Sequence, residues 1–478
     1  FNPDIFHDAC GVGFVATSNG KPDPKVLPLA LSAMKRLTHR GAKAYDGNSG
    51  DGSGILVDIP KSFFKSYLLD KHSIKISKND TLVIASIFAK NISIKTIKSS
   101  FLNLTEKEKI DFVSLRVVPI DDNVLGDFSK QSLPKIMQLI FLTKAKNTAK
   151  LERKLYLIRK KIERDLYPRY KRFYICSFSS KTIVYKGLLS SDQLVKFYKD
   201  LNNDLFVVKV ALFHERFSTN TFSSWEMAQP FRMIAHNGEL NTDKKNRLSE
   251  TAIAVAKKRS IARPKGQSDS CRFDQTLNDR VMNESVNLVT AVVSMMPPAW
   301  ENDYRLSPKI RNMLEYFSLY EEKNDGPAAL VFGDGNIIGA RLDRLGLRPL
   351  RSVETDEYLA VMSEAGQIYF PPNEITRLGR IEAGGMLYYD HTEKHIYETD
   401  DALEKIASST DYSRLLRQCQ VHIDDLKTII PECSNPKNIY SGDLNSAARY
   451  VAYSHNQESF KLILNPNLSF IFNHPNIL

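Results

Sequence analysis

Ten residues into the chain, a thiol opens a glycine-punctuated apolar run: Asp8-Ala9-Cys10-Gly11-Val12-Gly13-Phe14-Val15. The run reads as the first strand of a strand–helix–strand unit. If residues 1–9 are cut away, Cys10 carries both a thiol and a free α-amine. An α-amine titrates near ~7.7–8.0 and a free thiol near ~8.5. The neutral amine then accepts the thiol proton, which makes a nucleophile and its base out of one residue. A cysteine in an apolar run is more often a small buried core residue. The nucleophile reading therefore needs support from elsewhere in the chain.

Composition narrows the classes. A length of 478 residues allows two or three domains. With 42% hydrophobic and 25% charged residues the chain fits a globular protein. No apolar run reaches the length of a transmembrane helix. The longest ones, Leu205–Phe213 and Val286–Met296, read as buried strands. The net charge is +11, but its lysines and arginines are not gathered beside stacking aromatics, so no nucleic-acid partner is expected. Much of the excess lies in Lys144–Arg172, around Leu151, Leu155 and Ile158, and reads as a solvated helix face. Cys10, Cys176, Cys271, Cys419 and Cys433 form no CxxC pair and no cluster with histidines. Their spacing suggests a reducing compartment: the cytoplasm, or another such as the plastid stroma. Residues 1–9 are too short and polar for a signal peptide and are expected to be a propeptide.

Along the chain, Leu27–Leu37 has a helical period, with Pro28 in the first turn, and Ile55–Ile59 returns as a strand. Gly47–Gly54 is glycine-rich; no Lys-Ser/Thr follows it, so a phosphate loop is not expected. Residues 70–200 mix β-rich runs (Thr81–Phe88, Asp111–Pro119) with a Lys-rich helix near 145–165. There, Arg172–Ser177 and Thr182–Lys186 look like a hairpin. Leu205–Phe213 delivers His214-Glu215-Arg216 to its end. A short strand Phe231–Ala235 delivers Asn237-Gly238, a strong turn pair. Residues 244–258 read as a helix and 325–395 as β-dominated. Pro431–Asn438 looks like a linker.

Three segments stand beside Cys10. They are Thr38-His39-Arg40-Gly41-Ala42 with Gly50-Asp51-Gly52-Ser53-Gly54, then His214-Glu215-Arg216-Phe217-Ser218-Thr219-Asn220 with Ala235-His236-Asn237-Gly238-Glu239-Leu240-Asn241-Thr242, and Gln267-Ser268-Asp269-Ser270. As an ordered set they resemble the class II glutamine amidotransferases, the N-terminal-nucleophile type. The likeness is nearest to the amidotransferase region of glutamate synthase large subunits, supported by Ser294–Trp300, Asp325–Phe332 and Leu342–Pro349. It is thin between about Asp70 and Asn203.

The resemblance implies an α+β fold, a four-layer α-β-β-α sandwich of N-terminal-nucleophile hydrolase type. It also implies three regions: a propeptide (1–9), the amidotransferase domain (10–428), and a linker with the start of a glutamate synthase central domain (429–478), Tyr450–Leu464 resembling its first helices. Cys10 is the implied nucleophile, converting L-glutamine to glutamate and ammonia through a thioester. The Asn237 side chain and the Gly238 N–H are the implied oxyanion donors. Arg216 clamps the glutamine α-carboxylate through two hydrogen bonds, Asp269 receives its ammonium, Thr219 adds a hydroxyl, and Arg40 helps hold the pocket. The three histidines His39, His214 and His236 lack a further ligand at a plausible spacing, so no metal is expected.

In a full-length relative the ammonia passes to synthase domains of the same chain, which aminate and reduce 2-oxoglutarate. FMN and an iron–sulfur cluster belong to that later region, so neither is expected here. The electron donor is a small NADPH-oxidising subunit or ferredoxin, between which this sequence does not choose. Two other readings stand beside this one: a class II amidotransferase serving another acceptor, and a non-catalytic module whose residues 1–9 are never removed. The family's smaller residue between His214 and Arg216 is here Glu215, and Asp243-Lys244-Lys245 departs from the family's usual run.

Overall fold

The computed structural model describes residues 10–38, 41, 43–146, 149–215, 223–240, 252, 255–256, 262–264, 266–321, 323–324, 326–421, 459 and 461–462. The elements of the first half are β1 (Gly11–Thr17), α1 (Val26–Arg36), β2 (Ser53–Asp58), α2 (Lys61–His72), β3 (Thr81–Ala89), α3 (Ile94–Thr105), β4 (Asp111–Val117), α4 (Asp127–Ser132), β5 (Lys135–Thr143), α5 (Ala149–Leu166), β6 (Phe173–Ser179), β7 (Thr182–Gly187), α6 (Ser191–Phe197) and β8 (Val210–Glu215). The second half supplies β9 (Ile234–Gly238), α7 (Asp269–Met282), α8 (Leu288–Met295), α9 (Pro308–Tyr320), β10 (Ala328–Gly333), β11 (Ile337–Leu342), β12 (Arg351–Thr355), β13 (Tyr358–Met362), β14 (Ile375–Arg380), β15 (Met386–Asp390), β16 (His395–Glu398), α10 (Thr399–Ser408) and α11 (Tyr412–Cys419). The chain divides into two compact units, Phe1–Gln418 and Cys419–Leu478.

Three sheets carry the first unit. One has seven strands in the order β14-β12-β13-β1-β8-β2-β7, one has five in the order β16-β15-β11-β10-β9, and one has four in the order β4-β5-β3-β6. β1 lies inside the first, antiparallel to β13 and β8. Every residue of β1, β2 and β8 is buried. Burial on both faces is why these stretches read as apolar runs rather than as alternating ones. The two larger sheets face each other, with β1 and β8 against β9 and β10. α1 packs on the far side of β1 and β8, with α6 beside it. Its buried residues Val26, Leu27, Ala30, Ala33 and Met34 recur at helical spacing and form that contact. α10 lies on β15 and β16, while Arg341 Nε on β11 donates to Met296 O at the end of α8 (2.6 Å). The result is an α+β fold with four layers, α-β-β-α, and the four-stranded sheet added beside it.

Several local expectations fail. Val286–Met296 is a helix, α8, capped by the Asn287 side chain; a continuous apolar run does not by itself distinguish a buried strand from a buried helix. Leu205–Phe213 starts too early, because β8 runs from Val210 to Glu215 and includes His214 and Glu215. Arg172–Ser177 and Thr182–Lys186 are not a hairpin. β6 pairs with β3 and β7 with β2, so the chain changes sheets at Ser180-Lys181. The basic helix α5 keeps Arg153, Lys161 and Arg164 in solvent but buries Glu152, Arg159 and Glu163. Most of the expected helix at 244–258, the linker and most of Tyr450–Leu464 lie outside the described residues.

Candidate active site

Cys10 stands immediately before β1, half-buried. The glycines after it answer to packing. A Cβ on Gly11 would come within 2.4 Å of the Leu37 side chain, and one on Gly13 within 2.5 Å of Val361 O. The start of β1 is thus pressed between α1 and its neighbouring strand, and its position leaves no room for side chains. Register sets Gly11 opposite Glu215 and Val12 opposite His214.

Asn237 and Gly238 are the last two residues of β9, not a turn. They pair with Ala329 and Ala328 of β10; a strand ninety residues away satisfies the backbone that a tight turn was expected to close. Asn237 is buried, and its Oδ1 has no hydrogen-bond partner. Gly238 has φ +109°, and a Cβ there would lie 1.8 Å from Pro327 O. Only glycine fits, and the backbone stays bare at that point.

Asp269 is the first residue of α7. Ser268 caps the helix, its Oγ accepting from Cys271 N (3.2 Å). A carboxylate in a first turn is favoured by the helix dipole. The next residue, Ser270, is hydrogen-bonded through Oγ to His236 Nε2. Since His236 precedes Asn237, that bond ties the first turn of α7 to the end of β9. A second tie is internal to the loop before β9: His236 N donates to Gln229 Oε1 (2.9 Å).

The two sheets meet behind these residues. His214 of β8 is fully buried; burial, and after it the neighbouring His236, holds its imidazole down at about 3. Burial and then Arg348 hold His236 at about 4. Both rings are neutral at ordinary pH. Among the described residues no three His, Cys, Asp or Glu side chains gather as a metal site. None of their helices is long and apolar enough to cross a membrane.

The elements bearing Cys10, Asn237, Gly238 and Asp269 are therefore neighbours. Arg40, Arg216 and Thr219 lie outside the described residues. Sequence reasoning quoted Ser270 but missed its tie to His236, and it missed Gln229 altogether; nothing in local spacing signals a contact between a side chain and the far end of a loop.

These features define a class of protein: the chain belongs to the family Glutamine amidotransferases class-II, whose model matches residues 10–415. It is 36% identical over 442 residues to the ferredoxin-dependent glutamate synthase of Antithamnion sp., covering 88% of this chain and 28% of that one. Against the large chain of Azospirillum brasilense glutamate synthase [NADPH] it is 32% identical over 483 residues, covering 98% of this chain and 31% of that one. The chain thus spans under a third of the length of these relatives.

Proposed function

We propose that this chain hydrolyses the side-chain amide of L-glutamine and is the ammonia-producing part of a glutamate synthase. With Cys10 at the N-terminus, its thiol gives a proton to its own α-amine and the sulfur attacks the amide carbon. The oxygen becomes an oxyanion, received by the Asn237 amide and the Gly238 N–H. The α-ammonium then returns the proton to the leaving nitrogen, ammonia departs, and a thioester remains. Water, deprotonated by the same amine, releases glutamate. Arg216 and Asp269 receive the α-carboxylate and α-ammonium of the substrate, with Thr219 and Arg40 completing the pocket.

The observation that carries this reading is the joint between the sheets. Register places Cys10 two residues from Val12, the partner of His214, and His236 adjoins Asn237. β9 packs against both β1 and β8 across the interface, which brings the nucleophile strand to the oxyanion strand. Ammonia made here passes to synthase domains for the reductive amination of 2-oxoglutarate. FMN, an iron–sulfur cluster and the donor, ferredoxin or a NADPH-oxidising subunit, belong to that region, which works in the cytoplasm or a plastid stroma.

The test is the intact mass and N-terminal residue of the full-length protein, followed by labelling with a diazoketone analogue of glutamine. A chain that begins at Cys10, releases ammonia and takes the label on Cys10 supports the reading. A chain that keeps residues 1–9, releases no ammonia and stays unlabelled is a non-catalytic module.

A further inference from the structure

The basic segment 149–166, which contains no motif of chemistry, carries a buried polar stripe. Glu152, Tyr156, Arg159 and Glu163 recur at spacings of four, three and four on α5 and face inward. Each has a partner on another element or on the same stripe. Glu152 accepts from Ser179 and Ser180 at the end of β6. Tyr156 Oη donates to Asp279 Oδ1 of α7 (2.6 Å). Arg159 Nη1 donates to Glu163 Oε1 (2.7 Å), and its Nη2 is bonded to Asn278 of α7.

The stripe ends on Arg232, which is 7% exposed. Arg232 Nη2 donates to Glu163 Oε1 (3.1 Å) and to Ile175 O on β6 (2.6 Å). Its Nη1 stands 3.7 Å from Asp274 Oδ2 of α7, and Asp274 Oδ1 accepts from Met233 N (2.8 Å). Burial raises the Glu163 carboxyl, but Arg159, Lys160 and Arg232 around it outweigh burial and hold it at about 2. The pair is thus ionised and buried. Arg232 lies five positions before Asn237, and Asp274 five positions after Asp269. One guanidinium thereby touches the run-in to the oxyanion strand, the helix that begins with Asp269, and the added sheet. A cleft of about 430 Å³ lined by Tyr156, Arg159, Ser177, Arg232 and Asn278 opens beside this joint.

Resting on the glutaminase reading above, we infer that Arg232 is a positioning residue for the glutamine site: anchored by Glu163 of α5, it fixes the spacing between Asn237-Gly238 on β9 and Asp269 on α7. The segment between the motifs thus has a task in the reaction, which is to hold the two substrate-facing elements at a set distance. Misplacing a bound substrate by about 1 Å can slow its reaction by about 10²-fold, even when the mutation is far from the chemistry. A guanidinium bridging three groups is not replaced by an ammonium, which lacks the planar fork.

The experiment compares Arg232→Met, Arg232→Lys and Glu163→Gln with the parent in the full-length protein with Cys10 at its N-terminus. Ammonia release gives kcat and KM for glutamine. Two labelling rates at Cys10, read by mass spectrometry of its peptide, separate positioning from folding: the glutamine diazoketone needs the whole site, iodoacetamide only the thiol. Arg232→Met is expected to lower kcat at least tenfold, raise KM and slow diazoketone labelling at least tenfold, with iodoacetamide labelling within twofold of the parent. Arg232→Lys recovers part of the loss, and Glu163→Gln shows the same pattern more weakly. Kinetics within twofold of the parent overturn the inference, as does a parallel loss of iodoacetamide labelling and melting temperature. Should Arg232→Met fail to fold, the same criteria applied to Glu163→Gln decide. A parent that reacts with iodoacetamide but releases no ammonia refutes the glutaminase reading instead.

Discussion

His214 on β8 and His236 on β9 are both buried where the two large sheets face each other, and both rings are neutral. Their folded values, about 3 and about 4, lie below the ordinary 6.5. The stability linked to the neutral rings is therefore complete above pH 6.5 and is lost as the pH falls toward 4. Each unit in that window removes about 1.4 kcal/mol per histidine. Calorimetry from pH 7 to pH 4 should show a steep fall in melting temperature, and His214→Leu should flatten it. A His214→Leu protein with the parent's slope would sink the account.

Glu215 faces Gly11 across β1 and β8 and is 1% exposed. Burial, despite hydrogen bonds from Ser191, raises its carboxyl well above the usual range; Asp51 and Asp192 push the same way. Its folded value exceeds its unfolded one, so the linked stability is present in full below pH 4.5 and declines as the pH rises. Glu215→Gln removes that loss. Its melting temperature should match the parent's near pH 4.5 and exceed it increasingly toward pH 8; a constant gap across that range would contradict the protonated carboxyl.

On the proposed mechanism, Asn237→Ala removes one oxyanion donor; it leaves the β9–β10 pairing in place. A loss of about 10²–10³ in kcat is expected, measured as ammonia release, with an unchanged melting temperature. Gly238→Ala differs, because its Cβ meets Pro327 O: it should lower the melting temperature as well as the rate. A Gly238→Ala protein as stable as the parent would show that the strand end shifts freely.

Arg341 is fully buried on β11, its Nη1 and Nη2 without hydrogen-bond partners. A buried charge with most of its donors unbonded costs stability, and replacing buried ionic groups by apolar side chains of similar volume is often neutral or stabilising by about 1–4 kcal/mol. Arg341→Met should therefore raise the denaturation midpoint. A lowered midpoint would mean that the bond from Nε to Met296 O outweighs the cost of the buried charge.

Much of this was legible in the residues. The apolar run after Cys10, the period of Leu27–Leu37 and the β-rich character of 325–395 all follow from patterns within a few residues of one another, and the structure reproduces them as β1, α1 and β10 to β16. The rest depended on partners far along the chain. Val286–Met296 carries no period that separates strand from helix. Asn237-Gly238 has the chemistry of a turn, yet β10 captures it into a sheet. The charges of α5 looked like solvent-facing ones because several of their partners, Ser179 and Ser180 by β6, Asn278 on α7 and Arg232 before β9, lie far along the chain, where no local pattern reveals them. Asn237, Gly238 and Asp269 were read from motif order, and the ties that set them side by side, through Ser270 and Asp274, were not.

The crossing at Ser180-Lys181 has a consequence for how the molecule changes over time. Because β6 closes one sheet and β7 begins as the edge of another, with Glu152 clamping the corner, the four-stranded sheet is spliced into the body of the fold rather than hung from a hinge. Losing it would mean losing β3 to β6 together with the corner into β7, not a loop alone.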